Sequence, residues 1–201
     1  AEALEALDAT TIEQVPQAAM LAIRIRHARG DLDEAEALAR DAVARHPAHA
    51  GLMATVSVLA VDIEDVELAK ATALAAGDHP DALTTLGTLT LEEDPGEARR
   101  LFDRALDQSS RVPRAWVGRG LTFLVAGDSA RAAQDIDRGA DMFGDHLGSI
   151  IAAGWAHFIA RDTEAARVRF QRAHDLDPTF SEAHGALAVL DVIEGRIEEA
   201  R

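Results

Sequence analysis

Small and apolar residues recur along this chain with a long and nearly constant period. Alanine occupies six positions that follow one another after 34, 29, 34, 34 and 34 residues: Ala35, Ala69, Ala98, Ala132, Ala166 and Ala200. A second series, which includes Ile23, Ser57 and Ala188, keeps the same period and the same interruption. Because two independent series share one period and one break, we interpret the chain as an array of internal repeats.

Each repeat predicts two helices. Repeat positions 4, 8 and 11 fall on one face of a first helix, and positions 20, 24 and 27 fall on one face of a second. In the repeat that begins at Pro113 these positions hold Trp116, Gly120, Phe123, Ala132, Ile136 and Gly139. Small residues at positions 8, 20 and 27 allow the two helices to approach closely. One pair cannot bury both helices, so neighbouring pairs must stack.

Aspartate marks the predicted start of the second helix. It stands at repeat position 16 in five repeats, as Asp31, Asp65, Asp94, Asp128 and Asp162. An aspartate there can accept a hydrogen bond from a free amide of the first turn, which stabilises a helix by about 1 kcal/mol. In one repeat Asp94 is followed directly by Pro95, and Glu97 stands three residues after the aspartate, which is a typical helix start.

A 34-residue period with this pattern resembles the tetratricopeptide repeat (TPR) family, and the resemblance covers residues 16–201. It implies an all-α fold, a right-handed superhelical solenoid of antiparallel helix pairs. About six repeats would begin near Pro16, Ala50, His79, Pro113, Leu147 and Ser181, with the last one truncated. Residues 1–15, with Leu4 and Leu7 at helical spacing, predict the degenerate helix of a preceding repeat. Since Arg201 directly follows Ala200, we expect a piece of a longer array or protein.

One repeat is shorter than the others. Between Ala76 and Ala82 the chain lacks five residues that the corresponding segment between Ala42 and Met53 contains. We expect the second helix of the repeat that begins at Ala50 to be shortened by more than one turn. The shortening is either drift in a tolerant array or a kink that reshapes the groove.

The resemblance also indicates where a ligand would bind. In the TPR family the concave groove is lined by first-helix positions 2, 5, 9, 12 and 13. We carry these positions over to the candidate groove residues Arg24, Val58, Val61, Arg114, Val117, Leu121, Leu124, Ile151, Trp155, Phe158 and Val189. The lining is mostly apolar in the carboxyl half, which is typical of a binding surface. An amphipathic helix could place its apolar face there. A neighbouring segment or a second copy could equally cover it.

Charge and composition narrow the classes of partner. The formal net charge is −15 and the pI is near 4.8, so the surface repels phosphate backbones and we expect no nucleic acid partner. No stretch approaches the roughly 20 apolar residues of a membrane span, so we expect no membrane insertion. Asparagine is absent and Lys70 is the single lysine, which argues against the basic clamp by which some TPR relatives hold acidic carboxyl termini. Abundant arginine and alanine indicate a bacterial source with a GC-rich genome.

The targeting and redox signals are few. Residues 1–9 lack the basic and apolar regions of a secretory signal, and either a cytoplasmic or a periplasmic location remains open. The chain has no cysteine, which excludes disulfides, thiolate nucleophiles and cysteine-based zinc sites.

Several polar residues are candidates for chemistry. His157 and Asp191 occupy position 11 in adjacent repeats, with Arg119 at position 7 of the repeat before. We expect a structural His–Asp bond rather than a catalytic dyad, because no serine or cysteine nucleophile stands beside them. His46 and His49 have a spacing that could suit a metal, but no further ligand completes a site. We therefore assign no metal, cofactor or catalytic residue.

Three arginines, Arg111, Arg114 and Arg119, gather near the start of the fourth repeat. They could receive a carboxylate or a phosphate of a ligand. Pairing with the many acidic residues around them is the favoured interpretation, since no phosphate-binding loop accompanies them.

The predicted function is that of a non-enzymatic protein–protein interaction scaffold. It would bind a partner segment, either an amphipathic helix or an apolar peptide, in the concave groove. Two alternatives remain: a non-catalytic arm that recruits substrate to a larger enzyme, and a structural module that assembles with itself. Fold alone does not decide between them.

Overall fold

The computed structural model describes residues 9–196, which form twelve α-helices and no strand. The all-α prediction is therefore confirmed. Leu4, Leu7, Ala200 and Arg201, on which the expectations about the two ends rest, lie outside the described residues. The helices are α1 (Ala9–Gln14), α2 (Pro16–Arg29), α3 (Leu32–Arg45), α4 (Ala50–Asp62), α5 (Val66–Ala76), α6 (Pro80–Thr90), α7 (Pro95–Gln108), α8 (Pro113–Val125), α9 (Ser129–Phe143), α10 (Leu147–Ile159), α11 (Thr163–Leu176) and α12 (Ser181–Ile193).

The chain divides into two compact units, an amino-terminal unit of residues 1–109 and a carboxyl-terminal unit of residues 110–201. In the amino-terminal unit α1 packs against α2, and three pairs follow: α2 with α3, α4 with α5, and α6 with α7. The carboxyl-terminal unit contains the pairs α8 with α9 and α10 with α11, after which α12 packs against α11. The first helix of every pair begins at, or one residue after, a repeat start named above.

Glycine allows the two helices of a pair to come close together. A Cβ atom on Gly120, at repeat position 8, would stand 2.5 Å from Cγ1 of Ile136 at position 24. The repeat that begins at His79 solves the same problem differently. There position 8 is Leu86, and Phe102 packs instead on Gly87 at position 9, where a Cβ atom would lie 2.8 Å from the ring. The bulky position 24 therefore requires a small partner within one residue of position 8.

Most of the predicted aspartate caps form. Asp65, Asp94, Asp128 and Asp162 each accept a hydrogen bond from the backbone N–H three residues later, at 2.9–3.1 Å. Asp31 precedes α3 but makes no side-chain cap bond. The cap rule thus holds where the side chain reaches the first turn and fails in one repeat of five.

Histidines cap three of the first helices, which the sequence analysis did not anticipate. His49, His79 and His146 each accept a backbone N–H at Nδ1, at 3.0, 3.3 and 3.1 Å respectively. Serine, threonine, aspartate and asparagine are the usual residues at this position. A histidine directly before a predicted helix start is the signal that could have revealed these caps.

The second helix of the shortened repeat, α5, is longer than the sequence analysis predicted. Helix α5 has 11 residues, whereas α3, α7 and α11 each have 14. Only three of the five missing residues are therefore taken from the helix, which is less than one turn of 3.6 residues. One more is missing from the connection to α6, and α6 begins one repeat position later than α4, which accounts for the fifth. The prediction that the helix loses more than a turn was therefore wrong.

Candidate partner-binding surface

The first helices of the carboxyl-terminal unit carry large apolar residues at three repeat positions. Positions 12 and 13 follow position 9 by three and four residues, so their side chains lie on the same side of the helix as that of position 9. On α8, α10 and α12 all nine of these positions are apolar. We call this set the apolar lattice: Leu121, Leu124, Val125, Trp155, Phe158, Ile159, Val189, Val192 and Ile193.

The three helices that carry the lattice are joined through shared core clusters. Leu124 of α8 packs against a cluster that includes Ala153 of α10. Phe158 of α10 packs against a second cluster that includes Leu190 of α12. The lattice therefore spans consecutive repeats of one unit, and its inner members are partly covered by that core.

The outer members of the lattice face solvent. Val125, Ile159 and Ile193 all stand at position 13, and they are 65, 53 and 57% exposed. Val192 and Val189 add to the same surface. Single exposed apolar residues are ordinary on a protein surface, but a repeated set on one face of consecutive helices is not. This surface is the strongest candidate for a binding site in the part of the chain that the structure describes.

Trp155 gives the lattice a rigid centre. Its ring lies 5.6 Å from that of Phe158, centroid to centroid, with the planes almost perpendicular. It also lies 5.0 Å from the buried ring of Phe170. These are favourable edge-to-face contacts. Trp155 is half-buried, so it is held in place and still offers a surface to a partner.

The corresponding face of the amino-terminal unit is mixed in character. Arg24 is exposed, and the predicted groove residues Val58 and Val61 are half-buried. Nε2 of His27, at position 12 of α2, lies 2.7 Å from Oδ2 of Asp62, at position 13 of α4. A polar pair therefore occupies positions that are apolar in the other unit.

One predicted groove residue does not reach the surface. Ile151 is only 2% exposed and belongs to the core cluster around Phe170. Position 5 of α10 therefore faces the interior rather than a ligand, and the assignment of Ile151 to the groove was wrong. Val117, at the same position of α8, is half-buried with a methyl group against Gly139 of α9. Arg114 is half-buried.

The sequence analysis also missed part of the surface. Val125, Ile159 and Ile193 are among its most exposed apolar residues but were not among the candidates. Comparing position 13 across successive repeats would have found all three.

The expected bond between His157 and Asp191 does not form. Nε2 of His157 lies 3.2 Å from Oδ1 of Asp137 on α9. Asp191 instead pairs with Arg167 of α11, at 2.7 Å, and with Arg196, at 2.9 Å. In both cases position 11 of a first helix faces the second helix of the preceding repeat, so equivalent residues of adjacent repeats do not meet. The Arg196 and Arg167 guanidiniums hold the pKa of Asp191 below its ordinary value.

Arg119 makes its contacts within the protein. Its guanidinium forms a two-pronged ion pair with Asp135, at 2.7 and 3.0 Å, and both side chains are largely buried. It also lies over the ring of Trp116, which Arg138 approaches at 4.0 Å from the ring centroid. The Trp116 N–H donates to the carbonyl of Ser110. This arrangement supports the interpretation that Arg119 pairs within the protein.

The histidines considered as metal ligands take part in helix connections. His49 caps α4, and Nε2 of His46 lies 3.0 Å from the carbonyl oxygen of Glu13. Among residues 9–196 no three histidine, aspartate or glutamate side chains are grouped so that they could hold a metal ion. Within the same range, no helix combines the length and the hydropathy needed to cross a membrane.

A comparison with protein-family models identifies the repeat. The family described as "Tetratricopeptide repeat" matches residues 92–145, which contain α7, α8 and α9. The chain is a helical-repeat protein, and residues 92–145 belong to the TPR family. The resemblance inferred from the sequence is thereby confirmed, and the fold is one that serves as a scaffold for protein–protein interaction. No curated protein matches the sequence.

Solved structures share this TPR fold at low sequence identity. A thermophilic TPR protein of Thermus thermophilus is 14% identical with a TM-score of 0.68, and the match covers 89% of this chain and 100% of the other. The Cut9–Hcn1 hetero-tetramer of the APC/C is 10% identical with a TM-score of 0.80, over 99% of this chain and 41% of the other. YrrB, described as a TPR protein with an unusual peptide-binding site, is 19% identical with a TM-score of 0.52, over 88% and 95% of the two chains. At these identities the likeness concerns the fold.

Proposed function

We propose that this protein is a scaffold that binds a helical segment of another protein on the apolar lattice. The observation that carries the proposal is the repetition of large apolar residues at positions 9, 12 and 13 of α8, α10 and α12, with the residue at position 13 exposed in all three helices. Packing within a TPR array does not require large apolar side chains at position 13, since that position holds Ala28 and Asp62 in the first two repeats. Their presence in three consecutive repeats favours a role outside the fold.

The geometry of the lattice suits the apolar face of a helix. Each first helix presents a ridge of side chains at i, i+3 and i+4, and such ridges pack into the grooves of a second helix. Helix-in-groove recognition uses apolar anchors at i, i+3 or i+4, and i+7 of the bound segment. Trp155, at the centre, is of the residue type that most often dominates binding energy at protein interfaces. The peptide-binding site named for YrrB and the assembly of Cut9 with Hcn1 are consistent with this use of the fold.

A pair of double variants tests the proposal. The lattice variant, Val125→Ser with Ile159→Ser, removes two apolar side chains that are 65 and 53% exposed. The control variant, Val168→Ser with Leu176→Ser, removes two that are 64 and 42% exposed on α11, a helix that carries no member of the lattice. Because all four residues are largely exposed, both variants are expected to remain folded, with a change in the free energy of unfolding of roughly 0.5 kcal/mol per site.

The parent protein is used to select binders from a library of random displayed peptides, each long enough for four helical turns. We expect the selected peptides to carry apolar residues at helical spacing, to bind the control variant as they bind the parent, and to bind the lattice variant at least about tenfold more weakly. Peptides that bind all three proteins equally would show that the lattice is not the site.

Sedimentation velocity at two concentrations separates an external partner from a second copy. We expect the parent to sediment as a monomer at both. A dimer that forms with the parent and the control variant but not with the lattice variant would mean that another copy covers the lattice, and the structural-module alternative would replace our proposal.

A further inference from the structure

The charge of the protein is distributed unevenly between the two units. Residues 1–109 contain 21 acidic and 9 basic residues, and residues 110–201 contain 14 and 11. The amino-terminal unit therefore carries a formal net charge of −12 and the carboxyl-terminal unit one of −3, which together make the −15 of the chain. The apolar lattice belongs to the nearly neutral unit, and most of the negative field originates in the other.

Much of this acidic charge is available to a partner. A set of exposed carboxylates in the amino-terminal unit forms no ion pair with any residue between 9 and 196: Asp33, Glu34, Glu64, Glu67, Glu92 and Glu93. Unpaired surface carboxylates attract cations and repel anions, and their summed field steers approaching molecules.

Carboxylates also border the lattice itself. Glu182 is exposed in the first turn of α12, seven residues before Val189 and therefore on the same helix face. Beyond Ile159, the connection and the first turn of α11 present Asp162 and Glu164, both exposed, alongside one exposed basic residue, Arg161. Carboxylates thus border the apolar surface at the start of α12 and beyond the end of α10, whereas the position of α8 that corresponds to Glu182 holds Arg114.

We infer that the segment bound on the apolar lattice is a basic amphipathic helix, with an apolar face for the lattice and lysine or arginine residues on its remaining faces. This rests on the proposed function and adds the charge of the partner to it. Charges across an interface are usually complementary, which raises the association rate and disfavours wrong partners. An acidic segment, or a second copy with its own charge of −15, would bring like charges together.

Dissolved salt screens the attraction between the carboxylates and a basic segment, and so limits the distance over which charge selects the partner. At physiological ionic strength the Debye length is about 8 Å, so basic residues near the contact are favoured mainly by the carboxylates around them. At low salt the whole acidic chain contributes. Preference for a basic ligand should therefore decline as salt is added, whereas the contribution of the apolar face should not.

Three synthetic peptides of about 18 residues (roughly five helical turns) with one attached dye test the inference against the full 201-residue chain. The first has leucines at helical spacing and lysines elsewhere, the second replaces every lysine by glutamate, and the third has the composition of the first with the leucine stripe scrambled. Fluorescence anisotropy gives the dissociation constant of each at low, physiological and high NaCl. The lattice and control variants defined above are measured alongside the parent.

The expected result is that the lysine peptide binds at least about tenfold more tightly than both others at low salt, and that its advantage over the glutamate peptide shrinks as salt rises. The lattice variant should lose most of this binding and the control variant none.

Equal binding of the lysine and glutamate peptides, lost in the lattice variant, would overturn the inference and leave the proposed function intact. Equally tight binding of the scrambled peptide would show unspecific charge attraction and overturn the inference. Failure of every peptide to bind, or binding that the lattice variant does not weaken, would count against both.

Discussion

The ring of Phe170 lies directly against the backbone of Gly154. A Cβ atom on Gly154 would stand 2.3 Å from Cε1 of the ring, and Phe170 is completely buried. The two residues occupy repeat positions 8 and 24, and they fix how closely α10 and α11 approach. Since α10 carries Trp155 at the centre of the lattice, this contact also supports the candidate binding surface.

Replacing Gly154 by alanine should therefore destabilise the protein. The added methyl group must displace a buried ring, and overpacking of this kind typically costs about 1–3 kcal/mol. Urea unfolding followed by circular dichroism measures the loss. Gly185→Ala on α12 is the matched control, because nothing beyond the adjoining residues and the backbone of its own helix lies within 4 Å of its Cβ position. That change should stabilise the helix by about 0.5–1 kcal/mol. If both substitutions have the same effect, the close packing described for Gly154 is incorrect.

The aspartate caps offer a second comparison. Oδ1 of Asp94 accepts a hydrogen bond of 2.9 Å from the backbone N–H of Glu97, whereas Asp31, in the same repeat position, caps nothing. We expect Asp94→Ala to lower the free energy of unfolding by about 1 kcal/mol and Asp31→Ala by clearly less. Chemical denaturation of the two variants side by side is sufficient. An equal loss would mean that position 16 stabilises through its charge rather than through the hydrogen bond.

The turn between the helices of a pair contains a left-handed residue in four of the five described pairs, and the pair of α6 and α7 is the exception. Gly127 has φ +79°, and Arg161, at the same repeat position, has φ +64°. A residue with a Cβ atom is disfavoured there by roughly 1–2 kcal/mol. We expect Gly127→Ala to reduce the thermal midpoint and Arg161→Gly to raise it, with opposite changes of about 1 kcal/mol or less in stability. A lower midpoint for Arg161→Gly would show that the arginine side chain makes a stabilising interaction of its own.

Acid should weaken the fold through its paired carboxylates. Arg196 and Arg167 lower the pKa of Asp191, and Arg169 lowers the pKa of Asp141. A carboxyl whose pKa is lower in the folded than in the unfolded state stabilises the fold above its unfolded value of about 3.9. This contribution is lost as the pH falls through the folded value, so stability should decrease from about pH 5 towards pH 2.

Asp191→Asn removes one titrating group and should make this decrease shallower. Asp107→Asn is the control, since Asp107 is exposed and forms no ion pair with the described residues. Urea unfolding at several pH values from about 3 to about 7 measures both. A pH dependence of Asp191→Asn that equals that of the parent would show that Asp191 does not contribute to it.

Much of the architecture follows from short-range rules. The position of Pro113 at the start of α8, and of Asp128 directly before α9, could be predicted because helical periodicity and capping act within one or two turns. The repeat extends these local rules along the chain. The repeat numbering also predicted that Leu121, Trp155 and Val189 stand at corresponding positions of successive first helices.

The burial of individual side chains depended on the tertiary structure. Ile151 and Ile159 share a helix and an apolar character, but the core around Phe170 covers the first and leaves the second exposed. His157 meets Asp137 rather than Asp191 because position 11 faces the preceding second helix. The sequence alone determined the period, the helix pairs and most of their starts, since these depend on neighbours within a few turns. Only the packing of one pair on the next decided which apolar residues reach solvent, because burial is set by atoms far away in the chain.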